Sequence, residues 1–210
     1  LAKGTANQEL RINSGATAPE WHTPAVASSD FVKLTSGGSS TDVASIDFDN
    51  LDVSTYSAFR LIWTSVGTVD GSHLRCKLRK GGASGELVSG SDYRSAQLQV
   101  TGGSGSISTA YESSVAYWEF LGNAGNNAYE GHTLDVTFVP RKSTMELGHG
   151  NSFFGGGTRT DQGSNFRHIT CSGMLRMTNS NDNLNYMTGF RMYYDTGSIS
   201  QYDYELWGMK

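Results

Sequence analysis

The chain has 210 residues, with 20 acidic and 16 basic side chains and a formal net charge of −4. That near-balance leaves no basic footprint for nucleic acid and no polybasic patch for a membrane surface, and no apolar run nears the roughly 18 residues of a membrane-spanning helix. The length admits one large domain or a tail plus a domain; 26 glycines, 3 prolines and 11% aromatics suit short strands joined by many turns.

Residues 1–30 read as an extended neck. Their apolar anchors are few: Leu10 and Ile12 two apart, then Trp21. A segment so thin cannot bury enough surface to offset the entropy of ordering itself. It is expected to lie on its own head or on other copies of the chain, so Leu10, Ile12 and Trp21 are the candidate subunit contacts.

From Phe31 the pattern turns to period two, the signature of strands with one buried face. Segments of this kind cover 31–35, 43–48, 58–66, 72–80, 93–99, 115–121, 132–139, 167–177, 187–194 and 201–208. Phe59, Leu61 and Trp63 share one face of the third, and Leu74, Cys76 and Leu78 one face of the fourth. Leu134, Val136 and Phe138 share a face near residue 136, and Ile169, Cys171, Leu175 and Met177 follow. The best helical candidate, Thr109–Leu121, contains Val115-Ala-Tyr-Trp-Glu-Phe-Leu121, whose β-formers favour a strand. Val69-Asp70-Gly71-Ser72 is a hairpin signal, because Asp-Gly supplies the positive φ of a tight turn. The expected fold is therefore all-β, a jelly-roll-like antiparallel sandwich over 31–210 preceded by the neck. Cys76 and Cys171 fit buried free thiols; a cross-strand disulfide is the alternative.

No constellation carries a catalytic signature. Asp47, Asp49 and Asp52 suggest calcium, but Ile46, Phe48 and Leu51 interleave them and no turn-forming Gly follows, so a strand with a polar outer face is the plainer reading. The five histidines, His22, His73, His132, His149 and His168, lack zinc spacing. Gly155-Gly-Gly157 lacks the Lys-Ser/Thr and helix of a phosphate loop. Neither metal nor cofactor is expected. The basic ladder Arg75, Lys77, Arg79 and Lys80 offers an anion site or, more simply, a solvated charged face. Tyr193, Tyr194, Tyr202, Tyr204 and Trp207 offer sugar stacking or, more simply, core and subunit interface.

Several of these segments resemble the tail-fibre and tailspike-type virion proteins of tailed bacteriophages. The neck stretch Gly4–Asn13 followed by Ala18-Pro-Glu-Trp21 is similar to the neck before their terminal knob. In the head, Val43-Ala-Ser-Ile-Asp-Phe-Asp-Asn-Leu51 with Tyr56 and Phe59-Arg-Leu-Ile62, then Leu74–Arg79, resemble the knob's opening strands, and Tyr204-Glu-Leu-Trp-Gly-Met209 its closing one. Trp207 and Met209 stand where that family has Tyr and Ile, and the match is scanty between about 140 and 165. The resemblance implies a non-catalytic homotrimer of the virion, assembled in the host cytoplasm, with a neck on other virion proteins and a head on a host-surface glycan or protein. A capsid-decorating or head-fibre protein is the alternative, a polysaccharide depolymerase a more distant one. It implies neither nucleic-acid binding nor membrane insertion.

If every connection reverses direction, loops alternate between the two ends of the sandwich. Loops 49–57, 81–92, 122–131 and 178–186 then fall at the neck end, and 36–42, 67–71, 100–114, 140–166 and 195–200 at the far end. The longest connection, 140–166, carries Met145, Glu146, His149, Asn151, Phe153, Phe154, Arg159 and Asp161. Aromatic faces beside amide and charged groups are what a receptor site needs. His149, Asn151, Phe153, Phe154, Arg159 and Asp161 are accordingly the candidate ligand residues; an extra strand or a subunit-packing segment is the competing reading.

Overall fold

The computed structural model describes residues 2–23, 30–80, 86–88, 93–127, 130–140, 151–161, 165–175 and 187–210. The chain divides into Leu1–Asp30 and Phe31–Lys210. In the first unit the extended backbone folds back on itself: β1 (Glu9–Ile12) pairs antiparallel with β2 (Pro19–His22), placing Leu10 opposite Trp21. Asn13 closes the turn, accepting from the Thr17 amide at 3.0 Å, and Arg11 meets Glu20 at 3.0 Å. Trp21 finds a partner within the unit. Its indole Nε1 donates to the Ala2 carbonyl, and its ring lies where a side chain at Gly4 would stand. Leu10 and Ile12 stay 55% and 59% exposed.

The second unit builds β3 (Phe31–Ser39), β4 (Ser45–Phe48), β5 (Ala58–Gly67), β6 (Ser72–Lys80), β7 (Glu86–Leu87), β8 (Tyr93–Thr101) and β9 (Ile107–Val115). It continues with β10 (Trp118–Ala124), β11 (Gly131–Val139), β12 (Ser152–Asp161), β13 (Asn165–Leu175), β14 (Gly189–Tyr194) and β15 (Ile199–Met209). They form two antiparallel sheets. The larger has the order β3-β15-β5-β11-β12-β13-β8-β9; the smaller runs β10-β6-β14-β4, with β7 also on β6. Five pairs are nested by sequence: β3 with β15, β4 with β14, β5 with β11, β6 with β10, and β8 with β9.

Alternation explains the packing. Phe59, Leu61, Trp63, Leu134, Val136, Phe138, Ile169 and Leu206 point inward from the large sheet, and Phe48, Leu74, Cys76, Leu78, Trp118, Phe120, Phe190 and Met192 from the small one. Rings meet across the layer: Phe138 stacks on Phe190 at 4.2 Å, and Phe153 lies 4.9 Å from Trp118 and 4.7 Å from Phe120. Both cysteines are buried free thiols. Burial raises both, pushing Cys171 up to about 12.

The strand reading of Thr109–Leu121 holds, with the segment divided between β9 and β10. Tyr193 and Tyr194 lie on β14 and Tyr202 and Tyr204 on β15, in opposite sheets. One expectation about the elements is corrected. Residues 152–161 and 165–166 are strand, not loop. β12 carries the Gly155–Gly157 run in a crowded slot, since a Cβ on Gly157 would stand 2.0 Å from the Thr133 carbonyl and one on Gly155 2.2 Å from that of Asp135.

Two additional long strands, β9 and β12, reset the count of reversals. The connection after β11 leaves Val139 and returns at Ser152, at the end of the sandwich that carries Phe31 and Met209. The β10–β11 connection lies at the opposite end, beside the Thr68–Gly71 turn. Both placements reverse the expectation for 140–166 and 122–131.

Candidate functional site

The outer face of the small sheet holds Arg75, Lys77 and Arg79 of the basic ladder; its arginines are committed to carboxylates, and the Lys77 ammonium lies 5.8 Å from the Tyr193 ring centre. Arg79 bridges Asp47 and Asp49, each at 2.7 Å, and Arg191 grips Asp47 with two bonds. The Arg191 hydrogen bonds hold the Asp47 carboxyl below its usual range. Arg75 reaches Glu119 and Asp195 and stacks 3.9 Å from the Tyr117 ring centre. His73 Nδ1 lies 2.9 Å from Glu119, which raises the imidazole. Asp52 accepts from the backbone N–H groups of Ser54 and Thr55 and from the Ser54 hydroxyl, and those bonds lower it to about 2. These contacts fit a polar outer face rather than converging cation ligands. Chelation with EDTA is accordingly expected to leave the melting temperature unchanged; a drop reversed by calcium would overturn this reading of Asp47, Asp49 and Asp52.

The outer face of the large sheet is different. The registers align Asp203, Thr64, Thr133 and Thr158 across β15, β5, β11 and β12 in one row, with Gly38 of β3 beyond Asp203. A second row, one pleat nearer the strand ends, holds Gln201, Val66, Gly131, Thr160 and Phe166. Alternate residues face the same side, so both rows point outward. They line a groove of about 680 Å³, with Glu130 beside it. Small residues make it concave. Gly131 adopts φ +146°, and a Cβ there would stand 2.5 Å from the Ser65 carbonyl. Phe166 stands 46% exposed at one side. Among the described residues, the side chains of Asp203, Gln201, Thr64, Thr133 and Thr158 enter no hydrogen bond or ion pair.

Directly behind the groove runs a buried polar chain. Trp63 Nε1 donates to Ser65 Oγ at 2.7 Å; Ser65 and the Tyr194 hydroxyl are 2.9 Å apart, as are Tyr194 and His132 Nδ1. Burial, then the Arg159 charge, lowers His132 to about 3, so its ring is neutral. Trp63 can only donate to Ser65; in the tautomer that carries its proton on Nε2, His132 Nδ1 accepts from Tyr194 and Tyr194 from Ser65. The chain braces the groove floor from inside and is closed to solvent.

The six sequence-derived ligand candidates do not share a surface. Phe153 is 2% exposed and its ring belongs to the core; Asn151 and Arg159 are buried on the same inward side. Phe154 points outward, 55% exposed. Asp161 ends β12, its side chain beyond what is described; His149, with Met145 and Glu146, lies outside the described residues. Strand alternation is the reason: neighbours in a strand leave on opposite faces. The groove residues escaped notice because outward threonines in a strand look like any solvated face.

Comparison with known proteins returns no relative: the chain matches no family model, no curated protein and no solved structure.

Proposed function

We propose that this chain is a non-catalytic virion protein, the head and neck of a trimeric phage tail fibre or tailspike, and that its head attaches to a glycan on the host surface through the groove of the large sheet. The observation that carries the reading is the contrast between the two outer faces. On one, the arginines pair with carboxylates along the sheet; the other has such pairs in Arg60–Asp135 and Lys33–Glu205, outside the groove. Within the groove it gathers uncommitted hydroxyl, amide and carboxylate groups beside an exposed aromatic ring, which is what a sugar needs for hydrogen bonding and stacking. The nested strand pairs support a jelly-roll reading of the head, and the neck and head motifs that resemble fibre knobs support the assignment to the virion. Exposed Leu10 and Ile12 support a neck covered by other copies.

Two measurements test this. Light scattering should give three times the chain mass, and Trp21→Ala, which removes the ring bracing the hairpin, should weaken assembly; a folded monomer at micromolar concentration would sink the trimer. Thr133→Tyr, which fills the groove from an outward position, should abolish binding of the labelled protein to a panel of bacterial cells while leaving the fold intact. Binding that survives this change would place the receptor site elsewhere.

A further inference from the structure

Resting on the glycan reading of the groove, we infer that its ligand is an uncharged or amine-bearing oligosaccharide of several units, and that sialate, uronate and phosphate-bearing chains are rejected. Charge comes first. The ionised side chains lining the groove are the carboxylates of Glu130 and Asp203, with no lysine or arginine among the lining residues. Of the basic side chains around it, His168 stands outward across from Thr158 at the β13 side, and two arginines are occupied or turned away. Arg60 is locked to Asp135 through two bonds on the next outward rows. Arg159 sits beneath the sheet, 3% exposed. His132 lies under the floor in the buried chain described above. An anionic sugar entering here meets like charge with no guanidinium to receive it, and like-charge juxtaposition is a strong means of rejecting a partner.

The chemistry of the lining agrees. A carboxylate such as Asp203 accepts two O–H bonds from a vicinal diol, or a charge-assisted bond from a sugar ammonium. The threonine hydroxyls donate or accept as the sugar requires. Size follows from the register. Asp203 on β15 and Phe166 on β13 are four strands apart, so the polar end and the aromatic end of the groove are separated by about 19 Å at roughly 4.8 Å per strand. One pyranose cannot touch both; a chain of several units can.

The test is binding of the intact protein to immobilised polymers sorted by charge: dextran, mannan and galactan; chitosan oligomers; polygalacturonate and polysialate. The wild type is expected to retain neutral or amine-bearing polymers at least about 10-fold more tightly than any anionic one, a factor that one charge-assisted bond supplies. Asp203→Asn should lower retention of an amine-bearing polymer by a similar factor, and Asp203→Lys should bring anionic polymers up. Asp203 is exposed and unpaired, so circular dichroism should find both variants folded. Preferential capture of an anionic polymer by the wild type would overturn the inference and leave the glycan reading standing. Attachment to cells without retention on any polymer would overturn both.

Discussion

Phe153→Ala is expected to lower the free energy of unfolding by about 3–5 kcal/mol, and Phe154→Ala by less than about 0.5 kcal/mol. The two residues are adjacent in β12 and chemically identical, yet the pleat sends them to opposite sides of the large sheet. Phe153 fills the space between the two layers against Trp118 and Phe120. Gly173 on the neighbouring strand makes room for it; a Cβ there would stand 2.3 Å from the Phe153 ring. Removing the ring leaves a void that close-packed aromatic neighbours cannot refill. Phe154 gives up little, because more than half of it already faces solvent. Urea unfolding of both variants decides the matter. Equal effects, or a larger one for Phe154, would mean that β12 is set one residue out of this register.

This pair also shows where the fold was legible in the sequence and where it was not. Strands such as β5, β6, β11 and β13 have one largely apolar face, interrupted by Ser65, Ser72, His132 and Arg167, and that face fixes their period. β9 has no such face: it lies at the sheet edge, with Ile107 and Tyr111 exposed, so its residues carry no inward-outward contrast. In β12 the inward positions are Phe153, Gly155, Gly157 and Arg159, and glycines chosen for backbone proximity erase the alternation. Missing β9 shifted the parity of the connections after it, which is why 122–131 and 140–166 were assigned to the wrong ends, and missing β12 shifted it back. The groove was illegible for another reason. Asp203, Thr64, Thr133 and Thr158 come from four distant segments and meet only through register, and no local spacing encodes that meeting.

Acid is expected to weaken the fold in a specific window, between pH 6.5 and about 4.5, through His132. Its folded pKa is about 3 against an ordinary 6.5, because the neutral ring is buried and faces the Arg159 charge. Below pH 6.5 the unfolded chain therefore takes up a proton that the folded chain refuses, and stability falls as pH falls. At roughly 1.4 kcal/mol per pH unit the loss is about 2–3 kcal/mol by pH 4.5. Other groups act outside this window. His73, raised by Glu119, contributes stability that is complete below pH 6.5 and is lost as pH rises through its folded value. Asp47, Asp52 and Asp135, all lowered, lose theirs only as pH falls below their ordinary 3.8, and Glu119 below 4.5. Urea unfolding at pH 7.0, 6.0, 5.0 and 4.5 should thus show a steady decline in the wild type. His132→Gln, which keeps an acceptor for the Tyr194 hydroxyl but cannot titrate, should start less stable and stay nearly level. A wild type as stable at pH 4.5 as at 6.5 would mean that His132 is protonated within the fold and donates to the Tyr194 hydroxyl, with Tyr194 donating to Ser65 while Trp63 still donates.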